Sequence, residues 1–173
     1  MNMDERIALN RRVAEGYRDA YTHKSVEGGE RYQAWSFAPN AEYSSPYWTN
    51  DEVIVLGDQP IEAGKTAIME AKAIALVFPD WKIIDSQIWA ADDGFTIKNK
   101  WRGTKADGTS MGYYSYTFAR TNDAGQIAHW ETHVDEDFGP FIEQVIGKRG
   151  PWRDGGEYMR LIAQALDTAG VTV

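Results

Sequence analysis

The sequence predicts an α+β domain in which helices pack against one face of a curved antiparallel sheet. Two observations lead to this fold class. In the first half of the chain apolar residues recur every three or four positions, whereas after Pro79 they alternate with a period of two. The alternating segments are separated by short turn sequences, so neighbouring strands run antiparallel. A chain of 173 residues is long enough to bury a core without disulfides.

The helical segments come first along the chain. The spacing predicts an amphipathic helix over 4–24, with Asp4 available to cap its start and Gly28 and Gly29 to end it. We then expect a short helix over 31–37, a strand over 41–48 and a second amphipathic helix over 62–77. The apolar face of the first helix consists of Ile7, Val13, Ala14, Tyr17, Ala20 and Tyr21.

The strands follow Pro79 and are connected in sequence order. The alternation predicts strands over 81–90, 94–103, 111–121 and 126–135. The turns between them are marked by Asp93-Gly94, by Asp107-Gly108 and by the segment 122–125. Two further helices, over 140–146 and 154–168, complete the chain. Such a sheet wrapped on helices would enclose a pocket between its concave face and the first helix.

Composition and charge exclude several classes of function. The net charge of −8 argues against nucleic acid or an anionic membrane as the main partner. The longest apolar run, 73–78, is far shorter than the roughly 20 residues of a membrane span. No basic segment leads into an apolar stretch at the N-terminus, so we expect a cytoplasmic protein. The absence of cysteine excludes thiolate nucleophiles, iron–sulfur clusters and cysteine-ligated zinc.

Aromatic residues are the unusual feature of the composition. Seven Trp, nine Tyr and six Phe make up 13% of the chain. This is more than a core of this size needs, and it indicates either a cavity lined by rings or an adhesive interface. If the rings line a cavity, the expected ligand is an aromatic small molecule.

The last predicted strand carries four ionisable residues, His129, Glu131, His133 and Asp135. Because side chains alternate along a strand, all four would point to the same face. Toward an aromatic cavity they would form an acid–base array, and toward solvent or a partner subunit they would form an ordinary charged ladder. We expect at least two of them to line the cavity. The two histidines would lie roughly 13 Å apart, too far to share one ion, so we expect no metal site.

Three parts of the chain carry a resemblance to a known family. The segment 37–43 (FAPNAEY) enters the first strand, 77–81 (VFPDW) opens a long strand, and 112–114 (GYY) is followed by 123–130 (DAGQIAHW). In this order and spacing they resemble motifs of the nuclear transport factor 2-like superfamily, most closely its SnoaL-like polyketide cyclases and phenazine biosynthesis A/B proteins. We therefore expect a SnoaL-like domain over residues 1–147 and a helical extension over 148–173.

The resemblance implies a fold and a mode of action. The family fold is a cone, or α+β barrel, in which a strongly bent antiparallel sheet is closed by helices around a deep apolar pocket. Members include isomerases, dehydratases and cyclases that need no cofactor and are often dimeric. Others are not catalytic, such as the small subunits of ring-hydroxylating oxygenases. We therefore expect no cofactor and a homodimer or a higher homo-oligomer.

The resemblance also implies roles for residues of the last strand. In the SnoaL-like branch one acid directly follows the His-Trp pair and another lies a few residues on, and the two act as catalytic acid and base. Glu131 matches the first of these positions. Asp135 and Glu136 both approximate the second, and the phenazine-type pattern matches Glu136. The choice between these two carboxylates stays open.

Tyr17 matches, in register, a tyrosine of ketosteroid isomerases that donates a hydrogen bond to the developing oxyanion. A core tyrosine with a satisfied hydroxyl is the equal alternative. The two acids of those isomerases correspond here to Ser45 and Thr117. These departures argue against ketosteroid isomerase chemistry itself.

The leading hypothesis is a lyase, isomerase or cyclase that acts by general acid–base catalysis on a bulky aromatic or polycyclic molecule. Dehydration would suit such a site, as would retro-aldol elimination from a phenolic, polyketide-like or lignin-derived diaryl compound. The candidate catalytic residues are His133, Glu131, Asp135 and Tyr17. The candidate substrate contacts are Tyr21, Trp101, Tyr113, Thr117, His129 and Trp48. The alternative is a non-catalytic ligand-binding or assembly subunit, such as the small subunit of a ring-hydroxylating oxygenase.

Overall fold

The computed structural model describes residues 1–22, 37–47, 53–55 and 60–172. The predicted helix over 31–37 lies outside this range except for Phe37, which begins a strand. The helices of the described chain are α1 (Met3–Tyr21), α2 (Pro60–Val77), α3 (Phe138–Ile146) and α4 (Gly155–Thr168). Its strands are β1 (Phe37–Ser44), β2 (Ile54–Val55), β3 (Lys82–Ala90), β4 (Gly94–Thr104), β5 (Ser110–Thr121) and β6 (Ile127–Val134).

The strands form one open sheet in the order β2-β1-β6-β5-β4-β3. The meander from β3 to β6 is antiparallel, as the turn sequences predict. However, β1 pairs with β6 in parallel, so the expectation of a wholly antiparallel sheet is wrong. The parallel pair is formed by strands far apart in the chain, where no short turn imposes an antiparallel direction. The α+β fold class is confirmed.

The start of α1 is capped by Asn2 rather than by the predicted Asp4. The Asn2 side chain accepts a hydrogen bond from the Glu5 backbone N–H at 2.9 Å, and the Glu5 carboxylate accepts one from the Asn2 backbone N–H at 2.8 Å. This reciprocal pair is a capping box, which satisfies two backbone donors together. Asp4 lies in the first turn, where its charge still favours the helix dipole.

Hydrogen bonds from the first turns of α1 hold this helix against the turns that join β3 to β4 and β5 to β6. Arg6 Nη1 donates to the carbonyl of Asn122 at 2.7 Å, between β5 and β6. Asn10 Nδ2 donates to the carbonyl of Ala91 at 2.8 Å, and its Oδ1 accepts from Thr121 Oγ1 at 2.7 Å. These bonds fix the register of the helix, so its later residues lie over the inner face of the sheet.

The two faces of the sheet differ sharply in composition. On β4 and β5 the odd-numbered residues are buried beneath the helices, and they include Trp101 and Tyr113. The even-numbered residues form an outer face, where the Lys98 ammonium lies 4.9 Å from the centre of the Tyr114 ring. This alternation is typical of a sheet with one face toward the core.

The C-terminal segment packs into the same core as the rest of the domain. Trp152, Tyr158, Ile162 and Leu166 are all buried, and α4 contacts α2 and α3. The Trp152 ring lies 4.7 Å from that of Tyr158 and 4.8 Å from that of Tyr47. The predicted extension therefore contributes aromatic side chains to the interior. None of the helices in the described ranges is long and apolar enough to span a membrane.

Candidate active site in the aromatic interior

Tyr17 on α1 lies among aromatic side chains on the inner side of the sheet, as an interior site would require. Its ring is 5.2 Å from the Trp130 ring, 6.5 Å from Trp101 and 5.2 Å from Tyr21. The side chain is half-buried, and burial, with a smaller contribution from the nearby Glu70 carboxylate, raises its pKa above the usual range. The phenol therefore stays protonated across the physiological pH range and can act as a hydrogen-bond donor.

A further acid close to this interior is Glu70 on α2, a half-buried residue that the sequence analysis did not select. Burial raises the pKa of Glu70 to about 7, and a hydrogen bond from the buried Tyr158 partly opposes the shift. A carboxyl group with a pKa near neutrality can both accept and release a proton at physiological pH.

The sequence does contain a signal for Glu70. It lies three residues after Ala67 and four residues before Ile74, so it occupies the apolar stripe of its helix. An acid in such a stripe is rare unless it is paired or functional. Attention to the polar residue within an apolar pattern would have found it.

Tyr43 on β1 and Tyr113 on β5 are both influenced by the charge of the same carboxyl group. Burial raises the pKa of each phenol well above its usual value, and the charge of Glu70 is the next largest cause for both. Tyr17 also contributes to both shifts. The charge of Glu70 therefore acts on three phenols, of which Tyr113 is buried and Tyr17 and Tyr43 are half-buried. Such a site offers one proton acceptor and several neutral donors.

The other aromatic residues predicted for the site form its wall. Trp101 stacks between Trp81 at 4.7 Å and Tyr113 at 6.0 Å, and Tyr21 packs edge-on against Trp101 at 5.4 Å. Thr117 is buried on the same inner face, on β5. Trp48, the remaining predicted contact, lies outside the described residues. Tyr21, Trp101, Tyr113 and Thr117 are thus brought together with Tyr17, while their role as substrate contacts stays a prediction.

Three members of the predicted charged ladder lie on the outer face of the sheet. His129, Glu131 and His133 pair across the outer face with Arg120, Phe118 and Tyr116 of β5, so the expectation that they line the interior is wrong. A register shift between Thr121 and Arg120 explains the difference. Ile127 faces inward, but the bulge reverses the alternation, so that Trp130 and Thr132 are the buried residues after it.

On the outer face the histidines of the ladder lie close to carboxylates. His133 Nε2 lies 2.5 Å from Glu131 Oε1, and His129 Nδ1 lies 3.3 Å from Glu42 Oε2 on β1. A groove of about 270 Å³ runs beside it and is lined in part by Trp89 and Phe118. No cluster of three metal-ligating side chains occurs among the residues that the structure describes.

Asp135 is the one member of the ladder that bears on the interior. It follows the last residue of β6, its backbone N–H donates to the Tyr114 carbonyl at 3.1 Å, and its carboxylate contributes to the raised pKa of Tyr113. Its Oδ1 is buried and has no hydrogen-bond partner within the described chain. Burial raises the pKa of Asp135. The neighbouring alternative, Glu136, is exposed.

Comparison with known proteins agrees with this architecture. No protein-family model matches the chain, and no curated protein is similar to it in sequence. Among solved structures, a phenazine biosynthesis-related protein of Pseudomonas aeruginosa has a TM-score of 0.54 and 14% identity, over 86% of this chain and 91% of that one. A protein of Jannaschia sp. named as a SnoaL-like polyketide cyclase has a TM-score of 0.55 and 10% identity, over 84% and 94%.

A further similar structure carries no assigned activity. It is an NTF2-like protein of unknown function from Cytophaga hutchinsonii, with a TM-score of 0.51 and 13% identity, over 75% of this chain and 98% of that one. At such low identity these likenesses establish the fold and leave the activity to be argued from the site. This chain has the nuclear transport factor 2-like α+β fold.

Proposed function

We propose that the protein is a cofactor-independent lyase, isomerase or cyclase that transfers a proton on an aromatic or polycyclic small molecule. The observation that carries this proposal is an acid, Glu70, in the apolar stripe of α2, whose charge acts on the phenols of Tyr17, Tyr43 and Tyr113, with Tyr17 packed among the aromatic rings of the interior. A carboxyl group with a pKa of about 7 suits a general base at neutral pH. The aromatic walls favour a flat apolar substrate.

In this proposal the residues divide the work of one proton transfer. The Glu70 carboxylate takes a proton from a carbon or hydroxyl group of the substrate. The phenol of Tyr17 or Tyr43 donates a hydrogen bond to the substrate oxygen on which negative charge develops. The protonated Glu70, or Asp135 at the edge of the interior, then returns a proton to the product. The names of two similar structures, which refer to polyketide and phenazine biosynthesis, support an aromatic substrate class.

A probe reaction tests the proposed base without knowledge of the substrate. In 5-nitrobenzisoxazole a base removes the ring C–H proton while the N–O bond breaks, and the product is a coloured cyanophenolate. We expect the wild-type protein to accelerate this elimination, with a rate that rises as the pH passes through about 7 and Glu70 ionises. Glu70→Gln should lower the second-order rate constant about tenfold.

The same assay separates the interior site from the outer ladder. The acid–base role predicted for Glu131 and His133 stays a prediction, and Glu131→Gln is the matched control for Glu70→Gln. If the interior carboxyl group is the base, Glu131→Gln keeps the wild-type rate and pH profile. Equal rates for wild type and Glu70→Gln would contradict the proposal, and loss only in Glu131→Gln would move the chemistry to the outer face.

We also propose that the outer face of the sheet is the contact of a homodimer. Trp89 and Phe118 are 54% and 47% exposed there and line the same groove, on either side of Thr96 of β4. The face carries lysines on β4, such as Lys98, and acids at the opposite side, such as Glu42 and Glu131. A second copy related by a two-fold axis would set the basic side of one sheet against the acidic side of the other.

Light scattering coupled to size-exclusion chromatography tests this contact. We expect a dimer for the wild type and a monomer for Phe118→Glu, because the substitution places a charge in the apolar part of the interface. Leu76→Glu is the control, since Leu76 is 45% exposed on α2, away from this face. A monomeric wild type, or a Phe118→Glu variant that stays dimeric, would contradict the proposal.

A further inference from the structure

The groove on the outer face of the sheet has two aromatic walls. Trp89 on β3 and Phe118 on β5 lie in register on either side of Thr96 on β4, and both rings are exposed. Because neighbouring strands are about 4.8 Å apart, the backbones that carry the two rings are about 10 Å apart. Aromatic rings pack at centroid separations of roughly 4.5 to 7 Å, so one flat ring fits between these two. The groove volume of about 270 Å³ suits a molecule of one or two rings.

A cation without a counter-ion lies in the same groove. Arg120 follows Phe118 by two residues on β5, so it projects from the same face of the sheet. It is exposed, and no carboxylate lies within 4 Å of its guanidinium in the part of the chain that the structure describes. Arg149 and Arg153, by contrast, each pair with a glutamate. The N–H donors of Arg120 are therefore available to a ligand.

The acidic residues that line the groove do not neutralise Arg120. Glu131 Oε1 lies 2.5 Å from His133 Nε2, and Glu131 Oε2 lies 3.9 Å from His129 Nε2. Asp93 belongs to the turn before β4 and forms no ion pair with Arg120. An anionic group beside Arg120 would complete its interactions. A carboxylate is the best match, because the planar guanidinium presents two parallel N–H donors to its two oxygens.

We infer that this groove binds an aromatic carboxylate, with its ring between Trp89 and Phe118 and its carboxylate on the Arg120 guanidinium. Two residues along a strand span about 7 Å, which is close to the distance from the centre of a benzoate ring, through its carboxylate, to a hydrogen-bonded nitrogen. The site is on the opposite face of the sheet from the interior of the proposed function and does not depend on Glu70. Trp89 and Phe118 also belong to the proposed dimer contact, so the acid and a second copy of the chain compete for them.

NMR of the Trp89 indole with two matched probes tests the location and the charge preference. The probes are 2-naphthoate and 2-naphthamide, which have the same shape but differ in charge. In uniformly 15N-labelled protein the Trp89 indole N–H signal, identified by its loss in Trp89→Leu, should shift with 2-naphthoate. Titration of this shift should give an affinity for 2-naphthoate about tenfold higher than for 2-naphthamide. An absent shift, or equal affinities for the two probes, overturns the inference.

Two arginine variants with the same change of charge test the role of Arg120. Both Arg120 and Arg102 are exposed, and only Arg120 lines the groove. Arg120→Gln should bind 2-naphthoate about tenfold more weakly than the wild type and 2-naphthamide equally well. Arg102→Gln should keep the wild-type affinity for both. Wild-type affinity of Arg120→Gln, as for binding in the interior, overturns the inference, and so does an equal loss in Arg102→Gln. Glu70→Gln should bind like the wild type, so failure of the proposed base would leave this result intact.

The shared residues connect this site to the oligomeric state. At saturating 2-naphthoate we expect light scattering to report a monomer, because the bound acid occupies the contact of the second copy. A dimer that persists while the Trp89 signal has shifted overturns this competition. A wild type that is monomeric without the acid contradicts the dimer contact and not the binding site.

Discussion

Glu70→Gln is expected to raise the free energy of unfolding by about 3 kcal/mol at pH 8 and to leave it almost unchanged at pH 4. The pKa of Glu70 is raised from 4.5 to about 7 in the folded protein, and each unit corresponds to about 1.4 kcal/mol. Between these two values the folded chain holds a proton that the unfolded chain has released. The wild type therefore loses stability as the pH rises from 4.5 to 7 and reaches a plateau above it. Glutamine has the shape of the protonated Glu70 side chain but does not ionise, so the free energy of unfolding of Glu70→Gln lacks this dependence on pH.

Urea unfolding of both proteins at several pH values measures the difference. The control is Glu136→Gln, at an exposed position on the far side of β6, which should follow the wild-type curve at every pH. A constant offset between Glu70→Gln and the wild type would mean that Glu70 ionises as an ordinary surface acid. The proposed base would then lose its main support. Ionised Glu70 lowers the free energy of unfolding at neutral pH. Such a loss of stability is common for functional groups that are buried for their chemistry.

Gly94→Ala is expected to destabilise the fold by about 3 kcal/mol, at the upper end of what overpacking usually produces. A Cβ atom added at Gly94 would lie 1.9 Å from the carbonyl oxygen of Ala119 on the neighbouring strand. Because the obstructing atom belongs to the backbone, the clash can be relieved only if β4 and β5 separate at this end of the sheet. The same register sets Trp101 opposite Tyr113, so the stacking of these two rings should be disturbed as well.

Gly16→Ala is the matched control for this substitution. Gly16 lies within α1, and a Cβ atom there would meet nothing within 4 Å. The change should stabilise the protein by roughly 0.5 to 1 kcal/mol, because alanine restricts the unfolded chain and favours the helix. Thermal unfolding of the two variants should therefore give shifts of opposite sign. A small effect of Gly94→Ala would show that the start of β4 can move away from β5.

The meander could be predicted from sequence because its signals are local. Alternating apolar residues and the turns at Asp93-Gly94 and 122–125 give strands that agree with β3 to β6 within a few residues. The bulge at the start of β6 has no such signal. Ile127 is buried, yet one inserted position after it turns His129, Glu131 and His133 outward. Because of this one bulge, the prediction from sequence placed these three ionisable residues on the wrong face of the sheet.

The proposed acid–base site could not be predicted from the sequence for a different reason. Tyr17 could be selected because it lies on a regular helix and matches a family position, but its partners come from four separate elements. Glu70 comes close enough to influence Tyr43, Tyr113 and Tyr158 only after α2, β1, β5 and α4 have packed together. Spacing along the chain contains no information about such a meeting. The burial of an acid in a helical stripe was the only local indication.

The parallel pairing of β1 with β6 bears on the order in which the interior assembles. Phe37 pairs with Ile127, 90 residues further along the chain, whereas each strand of the meander pairs with its immediate successor. Closing the long loop has a higher entropic cost than closing the hairpins, so the low-contact-order meander forms earlier. The stacked rings of Trp101 and Tyr113 would then be in place before Tyr43 arrives with β1. The phenol-and-carboxyl part of the site would be the last to form and the first to be lost.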